Sequence, residues 1–299
     1  MKTGNAQTPR TMSSALAAAM LALLVLAAPR PVEGQITNGV WGPGTTPYGY
    51  TLDQWEIIWG RWNYGQTIIA PDVNGNALVN DTVLMPFLNP TGTGQPATTS
   101  ITLAAGQGFM LPCWGVYGNS YVDGTPNDDF INQSIFATLV ISVQMDGLTI
   151  LSGTNAMQYY SAVRVSPAIP FNYYPYNYII LFQDIGMVHA PLSVGHHVLT
   201  VYARNIQALP PNYGGGIFEV NSAWNITVAP PPSLGLLRQG TNLVLSWPQT
   251  FNGYAVQATS TFTPSNWAAL GLPVQQVGGL NQVSVPLVAG SRFFRLKKN

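Results

Sequence analysis

Hydrophobic positions follow two rhythms along this chain. In "YTLDQWEIIWGRW", Trp55, Ile58, Trp59 and Trp62 recur at i, i+3, i+4 and i+7, the period of one helix face. Thr51, with Gln54 three residues on, makes a capping-box pattern, and Asp53 in the first turn complements the helix dipole. The spacing therefore predicts a short helix over residues 52–62. Its indole face is expected to lie on a core, a platform for a sugar ring being the alternative. Elsewhere the apolar residues come in short runs cut by Gly, Pro, Asn and Thr: "TVLMPFL", "SITL", "GFMLPCW" and the β-branched "SIFATLVISVQM" of Ser134 to Met145. Asp146-Gly147 then signals a hairpin turn into "LTIL". With "YYSAVRV", "YIILFQ", "HHVLTVYAR" and "GIFEVNSAWNITV", about nine strands, one helix and no repeating βαβ spacing predict an all-β fold. The expected form is an antiparallel β-sandwich, with a jelly roll as one arrangement.

The last seventy residues behave separately. "APPPSLG", Ala229 to Gly235, carries a proline run that cannot continue a strand ladder and reads as a stiff linker. After it, "LGLLRQ", "NLVLSWP", "GYAVQAT", "QVSVPLV" and "RFFRLKK" are strands at sandwich spacing, and Trp247 sits where small immunoglobulin-like modules place a core indole. Charge changes sign at the same point. Residues 35–229 hold ten acids against three bases, whereas residues 230–299 hold five bases and no acid. The expected organisation is a β-sandwich over 35–229 and a second, smaller sandwich over 230–299.

Composition narrows the function classes. Charged residues are 7% of the chain, against about 25% in ordinary soluble domains, which argues against nucleic-acid binding and its need for basic patches. Lys2 and Arg10 precede the uncharged run Ala15 to Ala28, and small residues follow near Gly34, so residues 1–34 have the layout of a secretory signal peptide. No second long apolar run follows, so no membrane span is expected in the mature chain, and the expected location is secreted, extracellular or cell-surface. Cys113 is the only cysteine, so no intrachain disulfide can form, and "FMLPCW" places it among apolar neighbours as a buried packing residue.

Candidate chemistry is sparse. The histidines are His189, His196 and His197. His196 and His197 are adjacent in a strand, so they point to opposite faces and cannot both bind one ion; His189 approaching one of them, with Asp184, would make a zinc-like set. "DVNGN" and "DGTPNDD" gather oxygen donors on loops, and Asp72, Asn74, Asp123, Asp128 and Asp129 are the candidate ligands for calcium, the better metal candidate of the two. The same residues are common turn formers. Asp128 and Asp129 also resemble a catalytic pair, but adjacency splays them. No nucleophile elbow, zinc-protease helix, P-loop or dinucleotide fingerprint occurs. The most unusual segment is "IPFNYYPYNYIILF", where Tyr173, Tyr174, Tyr176 and Tyr178 alternate with Asn and Pro. Flat rings with hydroxyl rims suit sugar stacking or protein contact.

Two resemblances attach to these residues. "NLVLSWP", "GYAVQATSTFTPSNWAAL" and the closing "FFRL" resemble a fibronectin-type-III-like terminal module of secreted bacterial proteins, which implies export and β architecture. "WEIIWGRW", "PDVNG", "GQGFMLPCW", "SPAIPF" and "PLSVGHHVL" resemble, with gaps from Leu52 to Val228, a family of exported bacterial β-proteins with no assigned catalytic role. The family commonly has lysine where this chain has His196. The expectation is a non-catalytic exported protein that binds neutral polysaccharide or a surface protein, or builds surface structure. One alternative is head-to-tail self-association of the basic module on the acidic domain; another is a secreted hydrolase using Asp128, Asp129 or the histidines.

Overall fold

The computed structural model describes residues 36–298 except 73, 90–93, 250, 252, 264 and 265; the expected signal segment lies outside them. In chain order the strands up to Ala229 are β1 Ile36–Thr37, β2 Val40–Trp41, β3 Leu78–Val79, β4 Thr82–Leu84, β5 Ala97–Ala104, β6 Gly108–Tyr121, β7 Val140–Met145, β8 Leu148–Ser152, β9 Tyr160–Tyr173, β10 Tyr176–His189, β11 Gly195–Arg204 and β12 Glu219–Ala229. They form two sheets. One runs β1-β2-β10-β6-β4-β3 with β9 also on β10, and the other runs β5-β12-β11-β7-β8. The fold is an all-β sandwich, as the strand-rich pattern predicts.

Two pairings depart from the antiparallel expectation. β4 pairs with β6, and β12 with β5, in parallel. The chain leaves β4 for the second sheet at β5 and returns at β6, and such a crossover, unlike a hairpin, delivers parallel neighbours. A second departure lies in "SIFATLVISVQM", where Ser134–Ala137 is a short helix and the strand starts at Val140. Ile135 and Phe136 are both buried, which consecutive residues of a one-sided strand cannot achieve. Asn132 Oδ1 accepts from the Ser134 N–H at 2.9 Å, turning the chain there. The Asp146-Gly147 hairpin forms as expected, with φ of 53° and 78° at the two residues.

Between the sheets pack Phe109 and Leu111 of β6, Ile185 and Met187 of β10, Leu199 and Val201 of β11, and Ile226 and Val228 of β12. Each contributes about 1.5–3 kcal/mol by leaving water. Cys113 lies in this core. Strand alternation turns the other residues of β10, Asp184, Gly186 and Val188, to the outer face of the first sheet.

Helix α1, Leu52–Asn63, covers that outer face. Its Thr51/Gln54 capping box is complete, with Gln54 N–H donating to Thr51 Oγ1 and Thr51 N–H to Gln54 Oε1. Trp55 and Trp59 pack on Leu84, Met110 and Val188. Both indoles also donate to backbone carbonyls, Trp55 to Pro47 at 3.1 Å and Trp59 to Met85 at 2.8 Å, so the rings are fixed in direction as well as buried.

The remaining strands are β13 Gly235–Gln239, β14 Asn242–Pro248, β15 Tyr254–Thr259, β16 Ala268–Ala269, β17 Gln275–Val277, β18 Leu280–Pro286 and β19 Phe293–Lys298. They form sheets β13-β14-β18-β17 and β16-β15-β19 around Leu245, Trp247, Val256, Val283 and Val285. No helix among the described residues is long and apolar enough to cross a membrane.

The seat of α1 yields a stability test. A Cβ on Gly60 would overlap the Phe182 ring. Gly60→Ala gains roughly 1 kcal/mol of helix propensity, but overpacking costs typically about 1–3 kcal/mol. Thermal melts are expected to show a lower Tm for the variant; a higher Tm would mean that the helix does not press on the sheet here.

Candidate functional site

The helix brings a second, unforeseen stripe to the sheet. Glu56, Gly60 and Asn63 stand at i, i+4 and i+7 beside the tryptophans. Glu56 is 2% exposed and Asp184, on β10, is 5% exposed. A Cβ on Gly186 would overlap Glu56 Oε1, and one on Gly115 would overlap Asp184 Cβ. Two glycines thus make the space in which the two carboxyls meet. Each bears on the other's ionisation, and two carboxyls in contact can share a hydrogen bond only if at least one is protonated. Burial, then the neighbouring Asp184, then Asp53 hold Glu56 well above the usual carboxylate range. Burial also raises Asp184, to about 7, against the hydrogen bond from Glu56 and with Asp53 adding to the rise. Glu56, raised the more, is the carboxyl that keeps its proton longer and can donate it to Asp184. Glu56 Oε1 and Asp184 Oδ1 are both closed to solvent and take no hydrogen bond from any other described residue.

Asp184 lines a cavity of about 340 Å³ walled by aromatic rings, among them Trp59, Tyr64, Trp114, Tyr117 and Phe182. Asn63 and Asn89 supply amides there. Tyr64 is wedged by its neighbours, at 5.3 Å from Tyr117 and 5.7 Å from Phe171 between ring centroids. A second cavity of about 380 Å³ adjoins it, sharing Gly115, Val116, Tyr117 and Phe218, and is lined by Asn119, Tyr176, Asn212 and Tyr213. The two are neighbours across these residues and are together termed the groove. No Lys, Arg or His lines either cavity, and Asp184 is the sole carboxyl among the described lining residues.

The tyrosine segment singled out from the sequence is the tip of the β9–β10 hairpin rather than a loop ahead of a strand, because Tyr173 pairs with Tyr176 across a two-residue turn. Tyr176 enters the groove and stacks on Tyr173 at 6.3 Å. Tyr173 and Tyr174 are exposed at the tip, and Tyr178 is exposed on the strand. Only Tyr176 of the four lines a cavity.

The loop acids are occupied by the protein's own donors. Asp72 Oδ1 accepts from the Asn74 and Asn76 N–H groups, and Oδ2 from Asn76 and Gln107 side chains. Asp123 accepts from Thr125 N–H. Asp128 is buried and accepts from Asn119 N–H, Tyr121 Oη and Asn212 Nδ2, so it braces two groove residues, Asn119 and Asn212. Asp129 accepts from Phe130 N–H and pairs with Arg164 at 2.6 Å. Among the described residues no three His, Cys, Asp or Glu side chains group as metal ligands.

Sequence reasoning missed the Glu56–Asp184 pair, although a signal was present. "YIILFQDIGMVH" is apolar on both faces except at Gln183 and Asp184, and a charged residue inside a strand covered on both sides needs a partner. Glycines at alternate outer-face positions marked where something approaches closely.

No protein-family model and no curated protein matches this chain, so neither resemblance drawn from the sequence gains support there. Solved structures that match include a chimeric titin Z1Z2 tandem carrying a GRGDS peptide from fibronectin, at 13% identity over 69% of this chain and 90% of that one, TM-score 0.20. A three-immunoglobulin-domain titin fragment matches at 10% identity over 71% and 62%, TM-score 0.19, and bovine butyrophilin at 9% over 73% and 98%, TM-score 0.18. At such scores these likenesses carry no argument about function.

The histidines serve the frame. His189 is buried, stacks on Phe109 at 4.8 Å and bonds the Ala190 carbonyl through Nδ1 at 2.6 Å; burial lowers its pKa. His196 contacts Thr227 Oγ1. His197 faces Asp146 through Nδ1 at 2.7 Å and the Ser193 carbonyl through Nε2 at 2.9 Å. Ser193 Oγ lies 3.4 Å from the same Nε2, which looks like a catalytic triad. A triad base needs a free lone pair on Nε2, and a nitrogen donating to a carbonyl has none. When protonated, the ring donates from both nitrogens and staples the β7–β8 turn to the start of β11. The hydrogen bond to Asp146 raises the His197 pKa. For Asp146, partial burial opposes ionisation, but the bonds from His197 and Val198 N–H prevail and lower it. The pair's stabilisation is therefore complete between the ordinary Asp and His values. It is lost as pH rises through the elevated His197 pKa, and as pH falls through the depressed Asp146 pKa. His197→Ala is expected to cost about 1 kcal/mol near pH 5.5, discounted for the exposed aspartate, and less near pH 9. Denaturant melts at both pH values check this; a penalty that grows with pH would contradict it.

Proposed function

We propose that the protein is an exported, non-catalytic binding protein whose groove takes a neutral polysaccharide. One observation supports the reading above the rest: the groove is lined by aromatic faces and asparagine amides, with one carboxyl and no cationic side chain among its described residues. Ring faces stack on the C–H faces of sugars, and amides match hydroxyls as donor and acceptor at once. A phosphate- or sulfate-bearing polymer would call for Arg or Lys instead. Two-carboxyl glycoside hydrolysis places its acids roughly 5–10 Å apart across the scissile bond. Here Asp184 faces the groove and its hydrogen-bonded partner Glu56 is behind it, which favours binding over hydrolysis. The self-association alternative has less support, since Lys298 of the basic region pairs with Asp81 of the same chain.

The test is affinity electrophoresis and calorimetry against a panel of neutral and anionic polysaccharides. A neutral glycan is expected to bind, and Tyr117→Ala or Tyr176→Ala to weaken it about tenfold each. Tyr174→Ala, at the exposed hairpin tip, is expected to leave affinity within about twofold. Retention of anionic glycans only, or equal loss from all three substitutions, would overturn the proposal.

A further inference from the structure

We propose that Asp184 is the polar anchor of the groove, accepting a hydrogen bond from a hydroxyl of the bound neutral sugar, with Glu56 as the positioning residue behind it. This rests on the groove being the binding site. The geometry carries the assignment. Asp184 is nearly all buried and lines the cavity, and Glu56 is the one donor set against it among the described residues, which leaves its second oxygen unmatched. A buried acceptor left unmatched costs about 1–3 kcal/mol, and a charged one costs more. In an aromatic cavity a ligand hydroxyl can remove that cost, and the surrounding rings keep the bond in a low-dielectric setting where it is strong.

The groups facing Asp184 give the anchor a pH signature. From α1 come Glu56 and Asp53; the buried thiol of Cys113 of β6 lies on the core side of the sheet, and burial first and then the two carboxyls raise its pKa. Tyr64 and Tyr117 in the cavity wall are likewise held neutral by burial first. On β9, Ser161 is the register partner of Asp184 and its hydroxyl donates to Asp53 at 2.6 Å. No cation is among the groups that shift Asp184 or Glu56. The pair thus passes from two neutral carboxyls to a monoanion in which Glu56 donates to ionised Asp184. A hydroxyl donor prefers that ionised form, since bonds to charged acceptors are about twice as strong as neutral ones. Binding should then expel a proton at mildly acidic pH, and affinity should rise as pH rises through the Asp184 transition.

The experiment uses the full chain and the best neutral oligosaccharide from the glycan panel. Calorimetry from about pH 5 to about pH 8 is expected to show affinity rising about tenfold. At about pH 6 the heats in two buffers of different ionisation enthalpy should reveal proton release. In Asp184→Asn the rise with pH should vanish. In Glu56→Gln, where a weaker amide donor replaces the acid whose hydrogen bond lowers Asp184, the rise should persist with its midpoint moved to higher pH. A role limited to holding the helix would not move that midpoint. Binding with no proton release and no pH dependence in the wild type overturns the anchor while leaving the groove as the binding site, whereas failure of every glycan to bind removes the groove reading itself. Because the proton count is taken on the wild-type protein, the outcome does not depend on whether the variants fold. A rise that persists in Asp184→Asn, or a strict requirement for added calcium, also overturns the assignment.

Discussion

Helix α1 can press Glu56 onto the first sheet only because the sheet and the helix each leave out a side chain at the contact. Gly186 makes room for Glu56 Oε1, Gly115 for Asp184, and Gly60 for the Phe182 ring. With Trp55 and Trp59 buried and hydrogen-bonded on either side, the helix has no freedom to lift one acid away from the other. Desolvation of two carboxyls is expensive, and sharing a proton is the cheapest state available to them. The cost is tolerated at one place in a molecule whose other acids are at the surface or saturated by local donors. Such a concentration of unfavourable chemistry at the foot of a cavity is characteristic of working sites.

The groove is built outward from that floor. Tyr64 caps the helix end and stands against Tyr117 and Phe171, while Phe171 continues to Tyr176 at 6.0 Å. A chain of ring contacts thus joins the carboxyl pair to the hairpin tip. On the far wall, Asp128 ties Asn119, Tyr121 and Asn212 together, and Tyr213 Oη bonds the Asp129 carbonyl at 2.7 Å. The acidic loop that suggests a metal site in the sequence therefore acts as a brace, its oxygens engaged in holding amides in place.

Periodicity made the helix, its cap, the Asp146-Gly147 hairpin and the core position of Trp247 legible, because each depends on neighbours a few residues away. The parallel pairings were not legible, since β5 meets β12 with six strands between them in the chain and no local pattern reports that. The carboxyl pair was half legible. Asp184 is an acid in an apolar strand, a signal open to reading but not taken; its partner is 128 positions earlier, and Glu56 alone looks like any solvent-facing helix acid. The tyrosine run drew notice for composition, yet three-dimensional placement separates Tyr176 in the groove from Tyr173 and Tyr174 outside it. The histidines were legible as strand residues, while the role of His197 needed Asp146 to be delivered by a turn fifty-one positions away.

The most direct measurement is a carboxyl-carbon NMR titration of the protein labelled at aspartate and glutamate side chains. The account predicts two carboxyls still protonated at about pH 6, where ordinary acids are ionised. One should be assigned to Glu56 by its loss in Glu56→Gln, and it should ionise after the other. The second should disappear in Asp184→Asn, with the Glu56 signal moving in the same spectrum because its ionisable acceptor has become a neutral amide. If every carboxyl in the chain is ionised by about pH 5, the two acids do not meet in a dry contact, and the groove has no buried pair at its floor.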